Sequence, residues 1–153
     1  MLPYTPTTKD RLWIDLARRV AEESKDRSTK VGAVIISPED KTVLSTGWNG
    51  FPRGVNDDEN YRHERPEKYI WTEHAERNAI YNAARLGIKL KGSHMYVSCY
   101  LPICCDCARA IVQSGIESVY RSNKKVKVNN DWSSPQSSII LIEGRVTEYV
   151  LDY

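Results

Sequence analysis

The sequence has no long hydrophobic run and little net charge. No apolar stretch approaches the roughly 18 residues that a membrane-spanning helix needs. The opening segment, MLPYTPTTKDRLW, lacks the charged head and apolar core of a secretory signal. We therefore expect a cytoplasmic protein without a membrane partner. The formal net charge of +2 over 153 residues also argues against a nucleic-acid partner, because such binding needs a concentrated basic surface.

The sequence also has no internal repeat, no low-complexity tract and no stretch with the composition of a linker. Hydrophobic residues make up 41% and charged residues 27%, which is an ordinary balance for a globular chain. A chain of this length can build one hydrophobic core. We predict a single domain over residues 1–153.

Hydrophobic periodicity divides the chain into alternating helices and strands. Four segments have helical spacing, and three of them end at a glycine: residues 7–24, 73–87, 105–115 and 133–144. Five segments read as strands: residues 31–37, 42–49, 93–100, 116–122 and 145–153. The first two strands pair as a hairpin through the turn PEDK. This order predicts a three-layer α/β/α sandwich with a mixed, mostly five-stranded sheet.

Three of the four cysteines lie within the segment LPICCDCARA, at positions 104, 105 and 107. In a reducing compartment, clustered cysteines bind metal more often than they form disulfides. Cys104 and Cys107 have C-x-x-C spacing at the start of a predicted helix, whose dipole favours the thiolate that a metal requires. Cys105 points away from that face, and we expect Cys105 and Cys99 to fill space in the fold.

A catalytic zinc has three protein ligands and one position for water, whereas a structural zinc has four. His74, at the start of the helix over residues 73–87, is the best third ligand. Glu76 follows two residues later, about 200° away on a regular helix. We therefore expect His74 to lie at the helix entrance, before regular geometry begins. A structural zinc knuckle or a redox C-x-x-C remains an alternative at this point.

The segment HAE at 74–76, followed about 30 residues later by CCDC, resembles the H-x-E…P-C-x-x-C signature of the zinc nucleobase and nucleotide deaminases. Residues 24–58, SKDRSTKVGAVIISPEDKTVLSTGWNGFPRGVNDD, are similar to the first half of deoxycytidylate deaminases. The similar segments together span roughly residues 10 to 150. One departure is Ile103, which separates Pro102 from Cys104 where that family places proline directly before cysteine.

The resemblance implies a cytidine deaminase-like fold and hydrolytic deamination of dCMP to dUMP and ammonia, which supplies thymidylate synthesis. It implies one catalytic Zn²⁺ held by His74, Cys104 and Cys107, a zinc-activated water, and Glu76 as the proton carrier.

Substrate contacts follow from the same resemblance. The backbone of Ala75 would contact the pyrimidine carbonyl, and Asn49 would hold the sugar or a base edge. For the phosphate we expect Ser24 and Arg27, which offer a hydroxyl and a planar cation, and Tyr120 at a strand end.

Deoxycytidylate deaminases are commonly hexamers that dCTP activates and dTTP inhibits, often with Mg²⁺. Their G-Y-N-G regulatory segment corresponds to Gly47, Trp48, Asn49 and Gly50. Trp48 keeps an aromatic face but has no hydroxyl. The resemblance therefore implies a homo-oligomer, a hexamer, with a regulatory site at Gly47, Trp48 and Gly50.

Other functions remain open from the sequence. A bifunctional dCMP/dCTP deaminase is one, because nothing in the sequence sets the number of phosphates. A tRNA or polynucleotide deaminase also carries H-x-E but needs a basic groove. Free cytidine deaminases usually carry C-A-E, which counts against that substrate. A zinc-stabilised binding module without catalysis is the alternative from a different class.

Overall fold

The structure is a computed structural model that describes residues 2–125 and 134–153. Within these ranges the strands are β1 Leu2–Tyr4, β2 Gly32–Ser37, β3 Thr42–Trp48, β4 His94–Val97, β5 Ser118–Ser122 and β6 Thr147–Leu151. The helices are α1 Thr8–Ala21, α2 Lys68–Trp71, α3 Ala75–Leu86, α4 Cys105–Ser114 and α5 Pro135–Glu143, with a 3-10 helix at Asn60–His63. Ser133, the first residue of the last predicted helix, lies outside the described ranges.

The strands form one mixed sheet in the order β1-β6-β5-β4-β2-β3. Strand β2 is antiparallel to both β3 and β4, and the pairs β4–β5, β5–β6 and β1–β6 are parallel. The predicted mixed α/β sheet is confirmed, including the hairpin of β2 and β3. Strand β1 adds a sixth, three-residue strand at the edge, which is too short to give a periodic pattern in the sequence.

Helices cover both faces of the sheet. Since successive side chains of a strand point to opposite faces, one strand contributes to the core on each side. Val34 and Ile36 of β2 pack with Trp13, Ile14 and Ala17 of α1 on one face. A larger core lies on the other face, where the sheet packs against α3, α4 and α5: its members include Ala33, Ile35, Ala79, Ala83, Met95, Ile111, Val119 and Leu141. No helix in the described ranges is long and apolar enough to cross a membrane.

Two glycines allow helices to lie directly on the hairpin strands. A Cβ placed on Gly32 would lie 2.0 Å from the carbonyl oxygen of Ala17 in α1. A Cβ on Gly47 would lie 2.2 Å from the backbone nitrogen of Ala79 in α3. Because these neighbours are backbone atoms, no side-chain rotation relieves the contact. Gly47, which the resemblance assigns to a regulatory segment, therefore has a packing role that sets the position of α3.

Replacing Gly47 with alanine is expected to destabilise the fold by about 1–3 kcal/mol or more, because the added methyl group collides with the α3 backbone. The matched control is Gly50→Ala, since a Cβ at Gly50 meets nothing within 4 Å; it should remain within about 1 kcal/mol of wild type. Urea unfolding of the three proteins measures both effects. Equal stability of Gly47→Ala and wild type would contradict the close packing.

Candidate active site

The three proposed metal ligands lie at the starts of two helices. His74 is the N-cap of α3, with an extended backbone at φ −77° and ψ 153°. Cys104 is the N-cap of α4, also extended at φ −74° and ψ 164°, and Cys107 lies in the first turn. The backbone N–H of Cys107 donates to Cys104 Sγ at 3.4 Å. His74 thus lies at the helix entrance, as its spacing from Glu76 predicts.

The donor atoms of these residues form a compact group. His74 Nδ1 lies 3.4 Å from Cys104 Sγ and 3.5 Å from Cys107 Sγ, and the three atoms all lie within 4.8 Å of one another. A tetrahedral zinc with Zn–S near 2.3 Å and Zn–N near 2.0 Å would separate a sulfur and a nitrogen ligand by about 3.5 Å. The spacing and the chemistry of the donors therefore both fit zinc.

Electrostatic interactions distinguish the two thiols. A hydrogen bond between the side chains of Cys104 and Cys107 lowers the pKa of Cys104 to about 4. Burial acts against it, and His74 acts in the same direction. The same hydrogen bond and burial raise the pKa of the Cys107 thiol. The pKa of His74 is raised, chiefly by its hydrogen bond with Cys104. The two thiols and the imidazole thus form one coupled hydrogen-bonded group.

Glu76 is a buried carboxyl group beside the ligand cluster. Only 7% of the residue is exposed, and burial raises its pKa above the ordinary value, although the nearby His74 and Arg77 act in the opposite direction. A carboxyl whose pKa is raised towards neutrality is suited to accept and return a proton in a catalytic cycle.

A cavity of about 400 Å³ joins this cluster to a second group of polar residues. Its lining includes the cluster residues His74, Glu76 and Cys104, and it also includes Asp26, Thr29, Asn49, Arg65, Lys68, Tyr69, Thr72, Ala75 and Arg77. This volume lies within the range of small-molecule sites in proteins. The cavity can therefore hold a ligand that contacts both groups.

The second polar group is built around a buried ion pair. Lys68 Nζ contacts the carboxylate of Asp26 at 2.8 Å, and the two side chains are only 10% and 7% exposed. Burial alone would raise the pKa of Asp26. Hydrogen bonds from Lys68 and from the backbone N–H groups of Thr29 and Ser28 outweigh it and lower that pKa to about 2. The Asp26 carboxyl is therefore ionised at neutral pH and forms an ion pair with Lys68.

Arg65 extends this group towards solvent. Its Nε donates to the hydroxyl of Tyr69 at 2.7 Å and its Nη2 to Ser28 Oγ at 3.4 Å, while Ser28 Oγ also accepts from Lys68 Nζ at 2.9 Å. The Arg65 residue is exposed. None of Arg65, Lys68 and Tyr69 is among the site residues predicted from the sequence. The one signal there is that residues 51–70, which contain all three, are polar and long for a loop.

Two of the predicted substrate residues lie in this cavity. Ala75 is the first residue of α3, and its side chain is fully buried. Asn49 is fixed by its amide group: Oδ1 accepts from the backbone N–H of Val31 at 2.8 Å, and Nδ2 donates to the carbonyl of Thr29 at 2.8 Å. Both residues are therefore held rigidly beside the ligand cluster.

The three predicted phosphate contacts lie elsewhere. Ser24 is buried, and its hydroxyl donates to the carbonyl of Asn49 at 2.7 Å. Arg27 lines a separate cavity and donates to the side chain of Asn60 at 3.1 Å. Tyr120 stacks between Tyr96 and Tyr149 in the core on the α1 face, with ring centroids 4.5 and 4.8 Å away. The structure thus does not bring these residues to the cavity of His74.

The remaining cysteines differ in their surroundings. Cys99 is buried, and burial raises the pKa of its thiol to about 11, which fits the predicted packing role. Cys105 is half-buried, and its thiol donates to Ser134 Oγ at 3.5 Å. Cys105 also belongs to the cavity lining, a position that its sequence neighbours do not indicate.

Trp48 and Gly50 line the separate cavity that contains Arg27, which has a volume of about 480 Å³. Asp26, Lys68 and Thr72 belong to the lining of both cavities. The buried ion pair of Asp26 and Lys68 is therefore a shared wall between the predicted regulatory segment and the ligand cluster.

Comparisons with known proteins agree with this geometry. Residues 7–122 match the family model described as the cytidine and deoxycytidylate deaminase zinc-binding region. An uncharacterised deaminase from the luxG 3′ region of Aliivibrio fischeri is 39% identical over 132 residues, which cover 80% of this chain and 84% of that protein. Human deoxycytidylate deaminase is 37% identical over 110 residues, 68% of this chain; the match covers only 59% of the human protein's length.

Among solved structures, the fold is similar to dCMP deaminase from the cyanophage S-TIM5 in complex with dCMP and dUMP. The TM-score is 0.74 at 23% sequence identity, and the match covers 96% of this chain and 99% of that one. The predicted cytidine deaminase-like fold is thereby confirmed. With its His, Cys and Cys donor group in place and three quarters of its length matching the family model, this chain belongs to the zinc-binding cytidine and deoxycytidylate deaminase family of enzymes.

Proposed function

We propose that this chain hydrolyses the C4 amino group of dCMP to give dUMP and ammonia. The observation that carries the proposal is the cavity whose lining contains the ligands His74 and Cys104 with Glu76, and also the polar group of Arg65, Lys68 and Tyr69. Such a cavity suits a substrate with a reactive base and an anionic group. The relatives named deoxycytidylate deaminase support the same substrate.

The metal in this reaction would be zinc, held by His74 Nδ1, Cys104 Sγ and Cys107 Sγ. When bound, it would activate a water molecule for attack on the ring. Glu76 moves the protons: its carboxylate accepts one from the attacking water and gives it to ring N3, then takes the second from the hydroxyl now on C4 and gives it to the amine as the C4 carbonyl forms. The C4–N bond breaks, ammonia leaves, and the ring becomes uracil. The buried position of Glu76 favours these transfers, because burial raises the carboxyl pKa and so strengthens its hold on a proton.

The pyrimidine would be oriented by the entrance of α3 and by Asn49. Ala75 is the first helical residue, and N–H groups at that position have no partner within a helix. Its N–H therefore suits the pyrimidine carbonyl oxygen. Asn49 already contacts two backbone groups, and its amide retains one further donor and one further acceptor position for the sugar.

The 5′-phosphate would bind at Arg65 and the hydroxyl of Tyr69, while Ser28, whose hydroxyl donates to Asp26 Oδ1 at 3.0 Å, helps to hold the guanidinium in place. A guanidinium binds phosphate through a planar pair of donors, and Arg65 already contacts neutral oxygens of Tyr69 and Ser28. Lys68 is neutralised by Asp26 and acts as an anchor for Ser28. This assignment replaces Ser24, Arg27 and Tyr120 as the proposed phosphate contacts.

A bifunctional dCMP/dCTP deaminase is the second candidate. Arg65 is exposed to solvent, so further phosphates on the substrate would extend outwards and would not meet a buried wall.

We further propose that the cavity of Trp48 and Gly50 binds a regulatory nucleotide, dCTP or dTTP, with Mg²⁺. Its shared wall of Asp26, Lys68 and Thr72 gives such a nucleotide a physical connection to the substrate cavity. Assembly into a homohexamer and a cytoplasmic location remain predictions from the family resemblance and the sequence.

Ammonia release from dCMP, dCTP, cytidine and deoxycytidine oligonucleotides tests the substrate. We expect turnover of dCMP by the wild-type chain. Glu76→Gln should lower that turnover by at least about 100-fold while one zinc per chain and the far-UV spectrum are retained, because only the proton carrier is lost. Turnover confined to cytidine or to oligonucleotides would refute the proposed substrate, and absence of any turnover would favour a binding module.

Arg65→Gln tests the phosphate contact. We expect the KM for dCMP to rise about 10- to 100-fold, the value of one charge-assisted interaction, with kcat little changed. Any activity on deoxycytidine, which has no phosphate, should be unaltered. The control is Arg85→Gln, an exposed arginine of α3 that removes the same charge away from the cavity. An unchanged KM in Arg65→Gln would rule out this phosphate contact.

Inhibition by dTTP tests the regulatory proposal. Addition of dTTP should shift the rate curve against dCMP, and Trp48→Ala should weaken that shift because an aromatic face of the cavity is removed. Superimposable curves with and without dTTP would reject regulation at this site.

A further inference from the structure

A chain of ion pairs links the two segments that carry the proposed zinc ligands. Glu73 Oε1 accepts from Arg77 Nε at 2.5 Å, and Arg77 Nη1 lies 3.3 Å from a carboxylate oxygen of Asp106. We refer to Glu73, Arg77 and Asp106 as the ligand bridge. Glu73 directly precedes His74, and Asp106 lies between Cys104 and Cys107. Each end of the bridge is therefore adjacent to a ligand.

The Glu73 end of the bridge is fixed to the rest of the fold. Its backbone N–H and carbonyl pair with those of Gly50, at 2.8 and 3.0 Å, just beyond the end of β3. Its carboxylate also accepts from the backbone N–H of His74 at 3.0 Å. The conformation of the residue before the imidazole is thus set by both backbone and side chain.

Arg77 is the element that crosses between the helices. Its side chain is only 15% exposed and belongs to the cavity lining, whereas Asp106 is 62% exposed. Asp106 also pairs with Arg109, but that contact stays within α4. Among the ion pairs within residues 2–125 and 134–153, Arg77–Asp106 is therefore the connection from the start of α3 to the start of α4.

The value of this connection lies in geometry more than in overall stability. A partly exposed ion pair such as Arg77–Asp106 contributes little to the free energy of folding. A zinc site, in contrast, depends on ligand positions within a few tenths of an ångström, and loss of the partners that orient metal ligands typically lowers metal affinity or activity by about 10- to 100-fold. The imidazole and the two sulfurs come from separate helices, so the relative position of those helices determines the fit.

We propose that Arg77 is a positioning residue that holds the starts of α3 and α4 in register for zinc. The inference rests on the metal site of the proposed function but does not depend on the substrate. Arg77 acts through both carboxylates at once, because a planar guanidinium can bridge two acceptors that a lysine ammonium cannot reach together in the same geometry.

The test is the zinc dissociation constant of the folded chain, measured by competition with a chromophoric chelator. Arg77→Met keeps most of the side-chain volume and removes the bridge, and Asp106→Asn cuts the bridge at its exposed end. Both should weaken zinc binding by about tenfold, and the double variant should bind no more weakly than Arg77→Met. Arg109→Met, which removes a cation from the same aspartate without crossing the helices, should stay within about twofold of wild type.

Arg77→Lys separates bridging from charge. It retains the positive charge, so wild-type zinc affinity in this variant would overturn the bridge in favour of a general electrostatic effect. Unchanged affinity in folded Arg77→Met and Asp106→Asn would also overturn it. Should Arg77→Met fail to fold by far-UV circular dichroism, Asp106→Asn, which alters an exposed side chain, decides the question. Absence of zinc binding by the wild-type chain would refute the proposed function itself, which is a different result from unaltered affinity in the variants.

Discussion

The approach of one imidazole nitrogen to two cysteine sulfurs, 3.4 and 3.5 Å away, is the interaction on which the rest of this molecule depends. The three atoms come from the entrances of two helices, and neither helix can supply the site alone. The positions of α3 and α4 on the sheet therefore determine whether the three atoms come together. Gly47 allows α3 to lie against β3 with its backbone in contact, and the pairing of Glu73 with Gly50 fixes the segment before the imidazole.

Burial and charge are arranged around this cluster in complementary ways. Glu76 is buried beside it, which raises its proton affinity. Asp26 and Lys68 cancel each other's charge within the cavity lining, so they add structure there without a net charge. Arg65 lies further out with hydroxyl partners, where an anionic group of a ligand can reach it. The resulting cavity is suited to a molecule that is neutral at its reactive part and negative at another.

Much of the fold and of the ligand cluster could be predicted from the sequence because the signals are local. The i, i+2 spacing of His74 and Glu76 favours a position for His74 at the helix entrance, and the C-x-x-C spacing places two thiols on one turn. Binary patterns and terminal glycines identify most elements. Strand β1 was missed because three residues that include a proline give no pattern, and its pairing with β6 is decided by tertiary structure.

The substrate contacts could not be predicted in the same way, because they depend on which face of the sheet a side chain meets. Tyr120 is in register with Tyr96 and Tyr149 on neighbouring strands, so it faces α1, whereas Val119 next to it belongs to the core beneath α3 and α4. A shift of one residue would reverse that choice. Arg65 carries no local pattern that identifies it, since its proposed contact with a phosphate depends on its position beside Ser28, 37 residues away in the sequence.

Zinc K-edge X-ray absorption of the zinc-loaded chain measures which atoms bind the metal. We predict two sulfur scatterers at about 2.3 Å and two lighter nitrogen or oxygen scatterers at about 2.0–2.1 Å. Four sulfurs, or none, would show that the metal binds elsewhere and that the cluster of His74, Cys104 and Cys107 is not its site.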